Sequence, residues 1–271
     1  MLWNPTRRQI IRASGLIAAP AIVGRALAQI PMTGAGLGAP SGGGGLGLQT
    51  SLAAFWQLDA GTWLDSTGNG NTLTASGTPP TIVAGGPSAV SNTTSFVSTS
   101  SESLKATNNS GLQVGAGNFS IQAWIQSIVP NNVNIFVSKN DGGFANREWG
   151  VGSNFTSSNI WAWGLYDSTS TETKCNSTSS TFDTSFHHIV ATWDGTTQRI
   201  YVDNAAASTA VPASPGISTT SNIFLGKDGD TGGFADCKIS LVGIWKGRVL
   251  TSGNVASLWN SGGGLTYAQM A

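Results

Sequence analysis

Two adjacent histidines, His187 and His188, are the only ones in the chain. Such a pair invites a zinc or general-base reading, but neighbours on a strand project to opposite faces and cannot both grip one ion. A structural role is expected, with one ring buried and hydrogen-bonded and the other at the surface. Carboxylates are the next source of chemistry. Glycoside hydrolysis needs two of them a few ångströms apart, and on a strand such pairs show as acidic residues two apart. Glu102, Glu148 and Glu172, the only glutamates, have no acid two or four positions away. Asp228-Gly229-Asp230 has the spacing but falls in a Gly-rich turn. With no Ser-His-Asp or Cys-His arrangement either, no residue is assigned a catalytic role and the chain reads as non-enzymatic.

Oxygen donors and turn-permissive glycines concentrate in Asp65-Ser66-Thr67-Gly68-Asn69-Gly70-Asn71. Hard cations such as Ca²⁺ take six to eight oxygens from carboxylates, amides and backbone carbonyls. With Asp59 close in sequence and Asp236 or Asp230 arriving from the last strands, the set Asp59, Asp65, Asn69, Asn71 and Asp236 is a candidate calcium site. The D-x-D-x-D-G spacing and closing Glu of an EF-hand are absent. The other reading is a connection rich in Asx turns, in which Asp65 and Asn69 cap their own backbone. Surface aromatics would stack on sugar rings, and Arg147, Trp149, Trp161, Trp163 and Tyr166, near Asp141 and Asn146, are the candidates. Alternation places Trp161, Trp163 and Leu165 on one face, which equally suits a core. Cys175 and Cys237 permit one disulfide closing a long loop, or two separately buried thiols.

These residues need a scaffold. Residues 6–28 carry a basic patch, a short apolar stretch and Ala26-Leu27-Ala28 ahead of Gln29, the order of a secretory signal. Thr6-Arg7-Arg8 followed by Gln9-Ile10-Ile11 resembles a twin-arginine signal, so residues 1–28 are expected to be a Tat-type address and the protein exported, periplasmic or extracellular. The apolar run is too short for a membrane span, and no transmembrane anchor is expected after its removal. Residues 29–50, dominated by Gly, Ala, Leu, Pro and Ser, are expected to form a flexible spacer. No GK[ST] follows its glycines to make it a phosphate loop. Arg7, Arg8, Arg12 and Arg25 precede the first acidic residue, so removing the address leaves nine basic against 13 acidic side chains. That balance offers no electrostatic footprint for nucleic acid.

Of the 271 residues only 10% are charged, while Gly, Ser, Thr and Asn abound, a usage suited to strands and turns. After Thr50, short alternating runs recur between turn residues: 52–58, 94–97, 119–126, 135–138, 149–152, 160–166, 187–193, 198–202, 222–226 and 238–245. This is the pattern of an all-β, two-sheet antiparallel sandwich. Along 119–126, Phe119, Ile121, Ala123 and Ile125 share one face, while Trp124 interrupts the polar face and is expected to pack under a loop or the second sheet. Only 251–260 looks helical, with Val255, Leu258 and Trp259 at helical spacing.

Several segments in order, Phe55-Trp56-Gln57-Leu58-Asp59, Gly117 to Ile125, Phe186-His187-His188 to Gly195, Ile200 to Asn204, Phe224-Leu225-Gly226 and Val242-Gly243-Ile244-Trp245, resemble the laminin G-like jelly rolls of the concanavalin A-like superfamily. The likeness covers about 215 residues and defines one domain over 51–268. Phe186 stands for the usual Trp, Asn204 for a hairpin Gly, and Ser240 near a position where many members carry a carboxylate. The resemblance implies a jelly-roll fold, and a calcium-assisted lectin-like module recognising a glycan or surface protein. A structural or adhesive component of an extracellular or phage-like particle is the alternative, with glycoside hydrolase a third.

Overall fold

The computed structural model describes residues 45–129, 134–141, 146–153, 160–178, 182–214, 216–229 and 232–271. The expected address, most of the spacer and Asp230 lie outside the described residues. Period-two alternation of apolar side chains builds two antiparallel sheets, with strands numbered in chain order. The first runs β13 (Ser208–Ala210), β12 (Gln198–Val202), β11 (Phe186–Trp193), β6 (Phe119–Ser127), β15 (Cys237–Lys246), β4 (Asn92–Phe96), β3 (Thr81–Ala84), with β1 (Leu52–Trp56) also paired to β15. The second runs β10 (Glu172–Asn176), β9 (Trp161–Tyr166), β8 (Trp149–Ser153), β7 (Asn134–Lys139), β14 (Ile223–Leu225), β5 (Leu104–Ala106), β2 (Thr74–Ala75). The two sheets form the sandwich that the alternation predicts.

β15 is central. It pairs with β6 on one side; on the other it pairs with β4 through Cys237–Ile239 and then with β1 through Val242–Trp245. The handover falls at Leu241, whose φ of 49° breaks the ladder. There the Ser240 hydroxyl donates to the Gln57 carbonyl at 3.0 Å, so the position that the family resemblance links to a carboxylate is a buried structural bond here.

Two apolar clusters follow from the two faces of the first sheet. Between the sheets, Trp56, Phe119, Phe136, Trp149, Trp161, Trp163 and Trp193 are packed with aliphatic side chains, and all are buried. On the sheet's outer side, Phe55, Trp124, Val190, Tyr201 and Trp245 meet a helix, α1 (Ser252–Trp259), and the segment after it. Thr251 caps α1 by accepting from the Asn254 amide at 3.2 Å, and Asn260 ends it in the left-handed region. Trp124 therefore packs under α1, stacked on Trp259 at 5.2 Å between ring centres.

Residues 45–50, assigned to the spacer from sequence, are held by the domain. Leu48 is buried, its amide donates to the Met270 carbonyl, and its carbonyl accepts from the Trp245 indole at 2.6 Å. Composition concealed this, because Leu48 finds its partners some 200 residues away. Strands β2, β3, β5, β10 and β13 also fall outside the ten alternating runs. They are short or half-exposed, and partners rather than pattern make them strands.

Candidate functional site

Helix α1 covers the outer side of the first sheet, whereas the second sheet carries a cleft. Alternation along β8 and β9 sends Trp149, Val151, Trp161, Trp163 and Leu165 into the core, so Gly150, Gly152, Ala162, Gly164 and Tyr166 lie on the opposite face. Small residues leave that face without side-chain bulk. Glu172 from β10 lies across it, and a Cβ on Gly164 would run into the Glu172 carboxylate. Beside them opens a cleft of about 260 Å³ lined by Asn134, Ile135, Arg147, Tyr166, Glu172, Asp228, Gly233 and Phe234.

Its polar groups are held in place. The Arg147 guanidinium lies 5.6 Å from the centre of the Tyr166 ring, and Lys174 reaches Glu172 at 3.3 Å. Burial, and then the neighbouring Glu172 carboxylate, push the Tyr166 hydroxyl's ionisation far up, so it remains a neutral donor to Glu172. Asp228 accepts from the Asn140 amide at 2.5 Å, and Lys227 sits 4.9 Å over the Phe234 ring. Two carboxylates, a guanidinium, amides and one half-buried aromatic face thus converge on one opening. That set can exchange hydrogen bonds with a hydroxyl-rich ligand while a ring stacks on its apolar side.

Of the five aromatic and basic candidates, the structure brings Arg147 and Tyr166 to this cleft. Trp149, Trp161 and Trp163 are corrected: each is fully buried between the sheets, where the face shared by Trp161, Trp163 and Leu165 becomes core. Glu172, Asp228, Asn134 and Phe234 were missed as site residues. No short spacing links them, because β10, β7 and the turn after β14 meet only through the sheet order.

The calcium set does not assemble. Asp65 Oδ1 accepts from the Phe55 amide at 3.2 Å and from the Thr67 amide and hydroxyl at 3.0 and 2.7 Å, while Oδ2 accepts from the Asn71 amide at 3.0 Å. Those four donors occupy the carboxylate's acceptor capacity and turn N–H and O–H groups toward it, the reverse of what a cation needs. Asn69 and Asn71 donate to Leu52 and Ala53 carbonyls, and Asp59 accepts from Gln57. Asp236 is remote: it binds Ser98 beyond β4, while Asp65 binds β1, and these strands meet β15 about five residues apart, roughly 17 Å. Among the described residues no group of three or more His, Cys, Asp or Glu side chains is arranged to hold a metal ion. The donors present do not fit calcium; Asp65 caps its own loop as the second reading has it, whereas Asn69, expected to do the same, reaches across to β1 carbonyls.

The family model described as the Concanavalin A-like lectin/glucanases superfamily matches residues 92–256, more than half of the chain, taking in the central strands of both sheets. The chain belongs to this superfamily. Among solved structures, the concanavalin A-like domain is similar to the binding domain of Paraclostridial Mosquitocidal Protein 1, with a TM-score of 0.65 and 18% identity over 79% of this chain and 53% of that one. It is also similar to the binding domain of Botulinum neurotoxin DC, solved in complex with SialylT and with rat synaptotagmin II, with a TM-score of 0.62 and 16% identity over 81% of this chain and 53% of that one. At these identities the likeness is one of fold, and the chain spans about half the length of each. No curated protein matches the chain.

In this concanavalin A-like domain the paired histidines do part to opposite faces, but neither reaches the surface. His188 is buried under α1, stacked 5.1 Å from Trp124, with Nε2 on Gln122; burial drives its pKa down to about 3 and keeps it neutral. His187 faces the sandwich edge, 2.6 Å from Asp203 and 3.1 Å from Asp183. Burial opposes its protonation, but the two carboxylates outweigh it and the net shift is upward. Asn204, in place of a hairpin Gly, takes a φ of 61° that Asn tolerates. Of the two readings left open for the cysteines, the disulfide is corrected and the separately buried thiols hold: Cys175 and Cys237 are free and buried. Cys175 packs against β12 and β13, and three strand steps separate β12 from β15, roughly 14 Å, beyond the Cα reach of about 7 Å.

Proposed function

We propose that the domain is an exported, non-catalytic recognition module that binds a carbohydrate in the cleft formed by Arg147, Tyr166, Glu172, Asp228, Asn134 and Phe234. The observation that carries this reading is the convergence of preorganised polar groups and one half-buried ring in a cleft beside the glycine- and alanine-rich face of β8 and β9. Its fold is shared with toxin binding domains, of which that of Botulinum neurotoxin DC was solved both with SialylT and with a protein, synaptotagmin II, which supports recognition of a surface ligand. Calcium has no part in this reading, since Asp65 spends its oxygens on its own loop and on the Phe55 amide of β1. Among the described residues no helix is long and apolar enough to cross a membrane.

A glycan array, run with and without EDTA, tests the proposal. Binding should survive EDTA, and Arg147→Ala or Phe234→Ala should weaken it at least tenfold, about 1.4 kcal/mol, with little change in melting temperature. Trp163→Ala should instead destabilise the fold by about 3–5 kcal/mol, as a core deletion does. Silence on the array together with concentration-dependent self-association would favour a structural or adhesive component. Glu172 and Asp228 both line the cleft. Release of reducing sugar that vanishes in Glu172→Gln would therefore replace binding with hydrolysis.

A further inference from the structure

Lys139 and Glu148 form an ion pair at 3.0 Å with both side chains fully buried, away from the cleft. Lys139 ends β7, while Glu148 immediately precedes β8. Four oxygens lie around Lys139 Nζ: Glu148 Oε2, the Thr219 and Ser221 carbonyls at 3.0 and 2.8 Å, and Asn108 Oδ1 at 3.1 Å. An ammonium has only three hydrogens for them. Asn108 is the most distant of the four acceptors and carries an electrophilic carbon. One C=O bond length separates Oδ1 from Cγ, so Nζ stands within about 4.3 Å of that carbon, and a small torsion of the half-buried Asn108 side chain brings it to attack distance.

Glu148 is fixed for the task. Its Oε1 accepts from the Val114 and Gly115 amides at 3.0 and 2.6 Å, and its Oε2 from the Thr219 amide at 2.8 Å. The packing is tight enough that a Cβ on Gly115 would collide with Glu148 and the Ile217 carbonyl. A buried pair of opposite charges without a ligand is weak evidence for stability, since desolvation offsets much of the attraction. Here the pair stands beside a carboxamide.

We propose that Lys139 and Asn108 are joined by an intramolecular amide bond formed after folding, with Glu148 carrying the proton. Nζ passes a proton to Glu148 Oε2 and attacks Asn108 Cγ; the new C–N bond forms as the Cγ–Nδ2 bond breaks. Glu148 relays that proton and then the second Nζ proton to the departing nitrogen, which leaves as ammonium, so the new amide is neutral and Glu148 is again a carboxylate. No oxidant or cofactor enters the balance. Burial, acting against the Glu148 charge, pulls the Lys139 ammonium below the usual lysine range, which favours the nucleophilic amine. The link ties the chain just after β5 to the end of β7, the two strands that flank β14. It is a crosslink that a reductant cannot open, in a domain whose two cysteines are too far apart to bond.

Mass spectrometry of the folded full chain, held at neutral pH, decides it. The intact protein should be lighter by one ammonia, and the tryptic fragment 106–147 should remain uncut at Lys139 and carry that loss. Asn108→Ala should restore full mass and cleavage at Lys139, Asn108→Asp should lose water instead, and Glu148→Gln should slow linkage at least tenfold. Should Glu148→Gln fail to fold, the wild-type fragment alone is decisive. Folded wild-type protein of full mass that is cut at Lys139 overturns the proposal. So does an ammonia loss that maps elsewhere, such as to Gln29 at a processed N-terminus.

Discussion

Replacing Asp65 with Ala separates a turn from a metal site. The carboxylate accepts four hydrogen bonds, and two of its donors, the amides of Phe55 and Asn71, are buried. The Thr67 amide and hydroxyl sit nearer the surface, where water can replace the lost acceptor. Stranding two buried donors at about 1–3 kcal/mol each gives a loss of about 2–6 kcal/mol. For a domain of more than 200 residues that is a fall in melting temperature of about 4–24 °C. Asp65→Asn keeps the shape and one acceptor, so it should lie between wild type and Asp65→Ala. Calorimetry in EDTA and again in millimolar calcium provides the assay. Wild type should melt within about a degree in the two buffers, and the Ala deficit should be the same in both, because a ligand stabilises only what binds it. A loss below 1 kcal/mol in EDTA, or a wild-type gain of several degrees with calcium, would refute the reasoning and restore the loop as a cation site.

Two further outcomes are expected. His187 has its pKa raised by Asp203 and Asp183 against the pull of burial, so its stabilising contribution is complete below the unfolded value near 6.5 and is lost as pH rises through the higher folded value. Urea titrations at pH 6 and pH 8 should show that loss in wild type and a flatter profile in Asp203→Asn; equal slopes would remove the Asp203 contact from the account. Burial pushes the Cys175 thiol up to about 11 and Cys237 well above its usual range, so neither should react with a thiol reagent in the native state. Both should react on unfolding without reductant, whereas a single bridged pair would yield none.

The fold was legible because it is written in local alternation. Phe119, Ile121, Ala123 and Ile125 point where period two sends them, and the Thr251 cap and Asn260 stop bound the helix where the pattern places it. The site was legible only in fragments. Arg147 and Tyr166 stood out as chemistry-bearing residues beside aromatic neighbours, but the same reasoning brought in three tryptophans, because aromatic alternation looks identical whether the shared face meets water or a second sheet. Glu172 reads from sequence only as an isolated carboxylate, Asp228 only as part of a Gly-rich turn and Phe234 not at all, since their proximity comes from strand order across the sheet. The 65–71 loop misled for a related reason: cation shells and Asx turns use the same residues, and only the direction of the surrounding N–H groups separates them. Nothing in the sequence links Lys139, Glu148 and Asn108 either, and Glu148 reads only as an isolated carboxylate, until the strands flanking β14 bring them together.

The position of β15 has a kinetic consequence. The strand at the centre of the first sheet, bonded to β6, β4 and β1, comes from Cys237–Lys246, after every other strand. Until those residues have left the ribosome, β6 and β4 have no common neighbour, β1 has none at all, and their apolar edges stay open. Nearly every pairing that completes the sheet spans more than a hundred residues, the type of topology that folds slowly. A chain cut before Cys237 would lack the strand that joins β6 to β4 and expose edges prone to aggregate.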